Sequence, residues 1–433
     1  MTPGQPGPVT RAERIDALDT TRGVAVLGIL LMNIWSFAGP QAIYDYPVAA
    51  ADWGGAPLQT WAVMHTLFEG SQRALFSLLF GAGMLLMVNR LDEQGIPGGS
   101  GRIYYRRLGF LLLFGLFDLF VLLWPADILF VYGLCGLLLY PLRRRSVRTL
   151  LLLAMLVFAL QATLRYMDWQ HKQQLQAEYV ATQLAGEPAA GAAPERLAEW
   201  AAVEARARPD LNSPKIQESI RVQSSGNLRE FLVSQWQTSF ILLLVVGIKS
   251  LLLDSLGAML VGMALLRAGV LTLRAPARVY VLLLVVGYGI GLPLAAWETS
   301  ALILQDFDPL LKARNLLHYD LRRIAVGLGH LSSLLLLCRA FPGGWLAQRL
   351  AAVGRMALSN YLGQSLLCGL LFGSIGMGLY GQFTGYYLYG LVLLIWAAQI
   401  AFSNAWLAHF RYGPCEWLWR SLTYSARQPL RLN

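Results

Sequence analysis

The stretch Arg14–Phe37, RIDALDTTRGVAVLGILLMNIWSF, runs from charge into hydrocarbon without a break. Asp19 and Arg22 stand three apart, on one face of a helix, where opposite charges attract, and Thr20 or Thr21 can cap the turn they open. Gly23 permits a close helix crossing. From Val24 the chain is apolar until Asn33, whose amide at membrane depth must meet a partner on another helix or line a wet cavity. Two readings follow: Arg14 and Arg22 anchor the helix at the headgroups while Asn33 bridges helices, or Asn33 faces a site.

The rest of the chain is of the same kind. Hydrophobic residues make up 56% and charged ones 14%, a surplus that only burial in lipid keeps from aggregating. The expected fold class is all-α, a polytopic membrane helix bundle. The formal charge of +10 would suggest nucleic acid for a soluble protein. Here the arginines sit in short loops between apolar runs, so the expected partner is the lipid bilayer and no nucleic acid. The opening MTPGQPGPVTRAER is too polar for a signal peptide, and the first helix is expected to stay attached. Cys135, Cys338, Cys368 and Cys415 form no CxxC pair, so neither a disulfide framework nor a metal site is expected.

Apolar runs of about the 20 residues a bilayer needs fall at 21–38, 61–88, 104–122, 125–141, 147–166, 249–266, 279–300, 318–339, 355–374 and 386–410. They predict about ten transmembrane helices. The further run 228–247 is expected to be re-entrant or interfacial, because counting it as a crossing would move three arginine clusters to the outer face. With that choice both termini are cytoplasmic. The organisation reads as an N-terminal transmembrane half, 1–165, an outer-face helical connector, 166–230, and a C-terminal transmembrane half, 231–433.

Within the second run His65, Glu69, Arg73 and Ser77 recur every four residues and predict one stripe on one helix face. Such a stripe must face the protein interior, where Glu69 can pair with Arg73 and orient His65 as a base; a purely structural ion-pair network is the alternative. Asp118 lies deep in the third span, and Asp127 follows the turn LLWPA. His318, Arg322 and Arg323 are expected at a solvated helix end, with His330 about three turns inward. Asn360 and Gln364, one turn apart, can bind a ligand's hydroxyls or bridge helices. The closing RYGPCEWLWRSLTY reads as an interfacial helix. No Walker loop, HExxH or GxSxG is present, so ATP-driven, zinc-protease and α/β-hydrolase chemistries lack support.

LDTTRGVAVLGILLMNI, GRMALSNYLGQS and GPCEWLWRSLTY, with FSLLFGAGM and DILFVYGLCG between them, resemble YeiB-type bacterial inner-membrane proteins, which carry a C-terminal domain of unknown function. The likeness covers nearly the whole chain. The LDxxRG opening and Asn33 are also similar to transmembrane acyltransferases of the heparan-α-glucosaminide N-acetyltransferase type. That resemblance implies acylation of an outer acceptor from cytoplasmic acetyl-CoA, using a histidine in the outer loop after the first span. Here that loop, GPQAIYDYPVAAADWGG, holds no histidine, and the nearest is His65.

The expected function is therefore acyl transfer from cytoplasmic acyl-CoA to an acceptor hydroxyl or amine at the outer face, the acceptor being a small molecule or a glycan. His65, Glu69 and Asn33 are the candidate catalytic residues. Arg106, Arg107 and Arg355 are placed on the phosphates of acyl-CoA. Asp19, Arg22, Arg73, Asp118, Asp127, His330, Asn360 and Gln364 are candidate substrate contacts. A second copy of the chain is a candidate partner. The competing expectation is a proton-coupled transporter of small solutes, although no paired halves with broken helices are evident.

Overall fold

A computed structural model describes residues 16–49, 55–95, 99–185 and 194–432. Arg14 of the predicted headgroup anchor lies outside the described residues. Among the described residues the architecture is helical, without strands beyond one isolated bridge between Phe410 and Arg431. Seven helical runs among the described residues are long and apolar enough to cross a membrane: Asp16–Ala38, Ala56–Glu93, Val147–Ala185, Leu228–Arg267, Ala277–Leu304, Tyr319–Ala340 and Tyr386–His409, with Leu129–Leu142 and Ala357–Phe372 as shorter apolar helices. The fold is an all-α polytopic membrane bundle.

Helix α1 (Asp16–Ala38) is followed by the short α2 (Gln41–Asp45), then α3 (Ala56–Phe68) and α4 (Ser71–Glu93). The second predicted span is thus two helices. Gly70 takes φ +73° between them, a left-handed conformation open to glycine at little cost, and a Cβ there would also strike the Tyr319 hydroxyl. The four-residue stripe from His65 to Ser77 is broken at this turn, and Glu69 sits in the break.

Next come α5 (Gly99–Phe120), α6 (Leu129–Leu139) and α7 (Val147–Ala185). Helix α7 carries the fifth span and the first polar run of the predicted connector as one 39-residue helix, since nothing between Gln161 and Ala185 breaks a run of helix formers. Amphipathic α8 (Pro194–Ala207) and α9 (Pro214–Ser225) follow. Helix α10 (Leu228–Leu242) passes through a π-helical stretch, Leu243–Leu251, into α11 (Leu252–Arg267). The run 228–247 is therefore not re-entrant. Together with the sixth span it forms one helical run of 40 residues, about 60 Å long against a hydrocarbon core of about 30 Å.

The remaining helices are α12 (Ala277–Leu304), α13 (Pro309–Asn315), α14 (Tyr319–Ala340), α15 (Trp345–Arg355), α16 (Ala357–Phe372), α17 (Tyr386–His409) and α18 (Pro414–Tyr424). Helices α1 and α3–α4 form the centre and are mostly buried, whereas α7 is mostly exposed and turns its leucines outward. Outward leucine belongs to lipid, and lipid gives helices no hydrophobic reason to associate, so contact depends on small residues that let backbones approach. Gly23 of α1 and Gly354 of α15 lie back to back: a Cβ on Gly354 would run into the Asp19 carbonyl oxygen, and one on Gly23 into that of Leu350. Gly354→Leu is expected to lower the thermal unfolding midpoint in detergent by several degrees, overpacking here costing about 1–3 kcal/mol or more. Gly363→Ala, where a Cβ meets open space, is the matched control and should leave the midpoint in place.

Candidate functional site

The break at Gly70 brings Glu69 to the floor of a cavity of about 390 Å³. Its walls come from Tyr44 of α2, Trp61 and His65 of α3, Glu298 of α12, Lys312 and Asn315 of α13, and Tyr319 and Arg322 of α14. Val203, Arg206 and Ala207 of α8 border it as well, so the polar connector covers this cavity. Lys312 ties that cover down, donating to the carbonyl oxygens of Asp45 at 2.8 Å and Ala207 at 2.9 Å. Burial pushes its ammonium down to about 8, against the pull of the Asp45 carboxylate in the other direction.

His65 is fixed by its neighbours. Its ring stacks on Trp61 at 4.6 Å, and its Nδ1 lies 2.9 Å from the Thr299 hydroxyl. The Thr299 proton is committed to the Ala295 carbonyl at 2.7 Å, so the Thr299 oxygen receives the His65 Nδ1 proton and Nε2 is left as the basic nitrogen. This tautomer is an assignment from the hydrogen-bond pattern. Glu69, expected to orient His65, instead accepts hydrogen bonds from the hydroxyls of Tyr44 and Tyr319. It occupies the end of α3 where the chain turns, and this aims the carboxylate at α2 and α14 rather than back along its own helix.

The expected direct pair between Glu69 and Arg73 is likewise replaced. Arg73 donates to Asp254 of α11 at 2.9 Å and to the Tyr319 hydroxyl at 2.8 Å. Asp254 also pairs with Arg323, Arg323 with Asp320 at 2.8 Å, and Asp320 with Arg165 of α7 at 2.8 Å. Arg322 pairs with Glu298 at 3.1 Å. The arginines expected at a solvated end are 3% and 0% exposed, because buried carboxylates receive them: Glu298 of α12 for Arg322, and for Arg323 both Asp254 of α11 and Asp320 one turn before it.

A second cavity, of about 560 Å³, is lined by α4 from Phe76 to Glu93 and gathers Arg22, Arg90, Arg107, Arg355, Arg411 and Arg420 around three carboxylates, Asp19, Glu93 and Glu416. Asp19 and Arg22 form the expected ion pair at 2.7 Å. Arg107 lies flat on Trp419, 3.6 Å from the ring centre. Glu416 accepts from the backbone nitrogens of Leu358 and Ser359 at 2.7 and 3.0 Å and so caps α16; burial raises its carboxyl above the ordinary range while these bonds pull it back. Six arginines against three carboxylates make this lining net positive, and such a lining suits a ligand with several negative groups.

The other candidate residues lie elsewhere. Arg106 is not at this cavity; it donates to Thr423 and Ser425 and pins α18 to α5. Asn33 is half-buried on α1 and lines neither cavity. Asp118 is fully buried beside Asp127, whose carboxylate accepts from the backbone of Leu129 at 3.0 Å and Phe130 at 2.8 Å. His330 has both ring nitrogens engaged, one with the Tyr288 hydroxyl and one with the Leu67 carbonyl. Asn360 and Gln364 bridge helices, bonding to Val353 and Ser403 and to Val26 and Gln399. Missed in the sequence were Asp254 and Glu298, each a carboxylate inside an apolar run and so carrying the same signal as Glu69. Thr299, Tyr319 and Asn315 carried no such signal.

Apolar helices assembled around buried ion pairs and two polar cavities define a multi-pass membrane protein. Residues 265–426 match a family model described as protein of unknown function (DUF418). The chain is 33% identical to "Uncharacterized protein YeiB" of Escherichia coli (strain K12), over 96% of this chain and 98% of that one, and 28% identical to "Uncharacterized protein YxaH" of Bacillus subtilis (strain 168), over 98% and 97%. It belongs to the YeiB family. No solved structure matches it.

Proposed function

We propose that this protein is a membrane acyltransferase of the bacterial inner membrane, moving an acyl group from cytoplasmic acyl-CoA to a hydroxyl or amine in the His65 cavity. The observation that carries the reading is the pair of cavities that α3 and α4 present: a collection of arginines suited to phosphates around the one lined by α4, and at the end of α3 a histidine whose basic nitrogen is set by Thr299. In this scheme the arginine cavity faces the cytoplasm, as do both termini, and its arginines hold the nucleotide phosphates. Glu69 on the wall of one cavity and Phe76 on the wall of the other stand on either side of the Gly70 turn, and in this scheme the pantetheine arm spans that gap. His65 Nε2 takes the acceptor's proton, the acceptor oxygen or nitrogen attacks the thioester carbon, the carbon–sulfur bond breaks, and the departing thiolate is protonated. The Glu69 carboxylate, in the same cavity, favours the imidazolium that forms. Asn33 carries no step in this scheme.

The test is binding and turnover of acetyl-CoA and longer acyl-CoAs by the purified protein in nanodiscs. Arg107→Ala is expected to weaken acyl-CoA binding by about tenfold, the loss shrinking as salt rises. Wild-type protein that neither binds nor consumes any acyl-CoA would remove the reading. The buried Arg73–Asp254–Arg323 cluster lying between the cavities favours one competing reading, a proton-coupled transporter. Solute flux in proteoliposomes driven by a proton gradient, without thioester consumption, would establish that instead.

A further inference from the structure

Asn315 ends α13 on the wall of the His65 cavity and is 7% exposed. Neither its amide nitrogen nor its amide oxygen has a hydrogen-bond partner among the described residues. Beside it on the same cavity, Arg322 is 3% exposed and ion-paired through Nε with Glu298, while its Nη1 makes no hydrogen bond. A buried polar group left without a partner costs free energy and calls for an explanation. Lys312 of α13, a cation on the same cavity wall, is occupied with two backbone carbonyls and does not share this property.

The wall therefore offers the Asn315 amide donor and acceptor, the charged Arg322 Nη1 donor and, at Glu298 Oε1, a carboxylate acceptor without a hydrogen bond of its own. A carboxylate or a fully ionised phosphate brings acceptors only and leaves Asn315 Oδ1 unpaired; an alkyl chain brings nothing. A hydroxyl both donates and accepts, so two neighbouring hydroxyls can satisfy both ends of one amide. We propose that Asn315 and Arg322 form a recognition subsite for a polyhydroxylated molecule, a sugar or polyol ring, holding vicinal hydroxyls against the amide and a further oxygen against the guanidinium. This deepens the acyltransfer reading, on which it rests for why such a ring is held beside His65; the binding itself needs no acyl donor.

The test uses the full chain in nanodiscs without acyl-CoA, following methyl β-D-glucopyranoside by saturation-transfer NMR, with cyclohexanol and inorganic phosphate as competitors. Wild-type protein is expected to bind the glucoside, and Asn315→Leu to bind it about tenfold more weakly or less. Neither competitor, one with a single hydroxyl and one with acceptors in excess, should displace it. Because the leucine variant loses an unpaired buried amide, its thermal midpoint should equal or exceed that of wild type; a drop would mark Asn315 as structural and overturn the proposal. Equal glucoside binding by both proteins, displacement by phosphate, or no binding to wild type would overturn it too. Acyl-CoA consumption without glucoside binding would strike the subsite alone, and glucoside binding without acyl-CoA consumption the acyltransfer reading alone.

Discussion

His65→Gln is expected to lower acyl transfer by a factor of about 10² to 10⁴, the usual contribution of a positioned general base, with acyl-CoA affinity unchanged. The two effects separate because the arginine cavity shares no wall residue with the His65 cavity. Glutamine keeps a donor for the Thr299 hydroxyl but offers no basic nitrogen, so the loss reports on proton removal rather than on packing. Thr299→Val makes a second, finer measurement. It leaves the imidazole stacked on Trp61 but removes the acceptor that holds the proton on Nδ1, so both tautomers become populated and turnover falls by less than in His65→Gln. Turnover in His65→Gln within about threefold of wild type would mean that His65 is not the base, a difference too small for loss of general-base catalysis.

The bundle was legible because lipid demands long apolar runs, and a charge within such a run is conspicuous. His65, Glu69 and Arg73 stood out for that reason, and they do face the interior. Their pairing was not legible. A four-residue spacing suggests contact only while the helix continues, and Gly70, one glycine among the 42 of this chain, ends it. Asp254 lies 181 positions from Arg73 and 69 from Arg323, and no local pattern joins residues so far apart. The joining of 228–247 to the sixth span was not legible because the distribution of loop arginines was used to decide whether 228–247 crosses, and that pattern does not show that 228–247 and 249–266 are one helix continued through a π-helical stretch. Asn315 was hidden by its surroundings: in the polar outer segment an amide attracts no notice until its burial is known.

Asp254→Ala is expected to be among the most damaging single changes, costing about 3–5 kcal/mol, the range for removing one partner of a buried ion pair. In the folded protein Arg73, Arg323, Arg165 and Arg322 are paired with Asp254, Asp320 and Glu298, and the Glu69 carboxylate is joined to Arg73 through the Tyr319 hydroxyl. Asp254 is 1% exposed and serves two arginines at once, so its loss strands positive charge where water cannot reach. Asp254→Asn keeps an oxygen acceptor for Arg73 and should cost less than alanine, since the hydrogen bond survives while the charge does not. The consequence then reaches the site. Arg73 positions Tyr319, and Tyr319 donates to Glu69; with no charge left at position 254 the Glu69 carboxylate exerts the stronger pull on Arg73, and the shift disturbs the bonds that Tyr319 and Tyr44 make to Glu69. Activity is therefore expected to fall in Asp254→Asn even at temperatures where the variant stays folded, and Arg73→Met in the same chain should restore part of the lost stability without restoring activity. Unfolding midpoints in detergent for the single and double variants decide the first point: if Asp254→Ala melts with wild type, the carboxylate is not what balances these arginines, and the route from α11 to Glu69 does not exist.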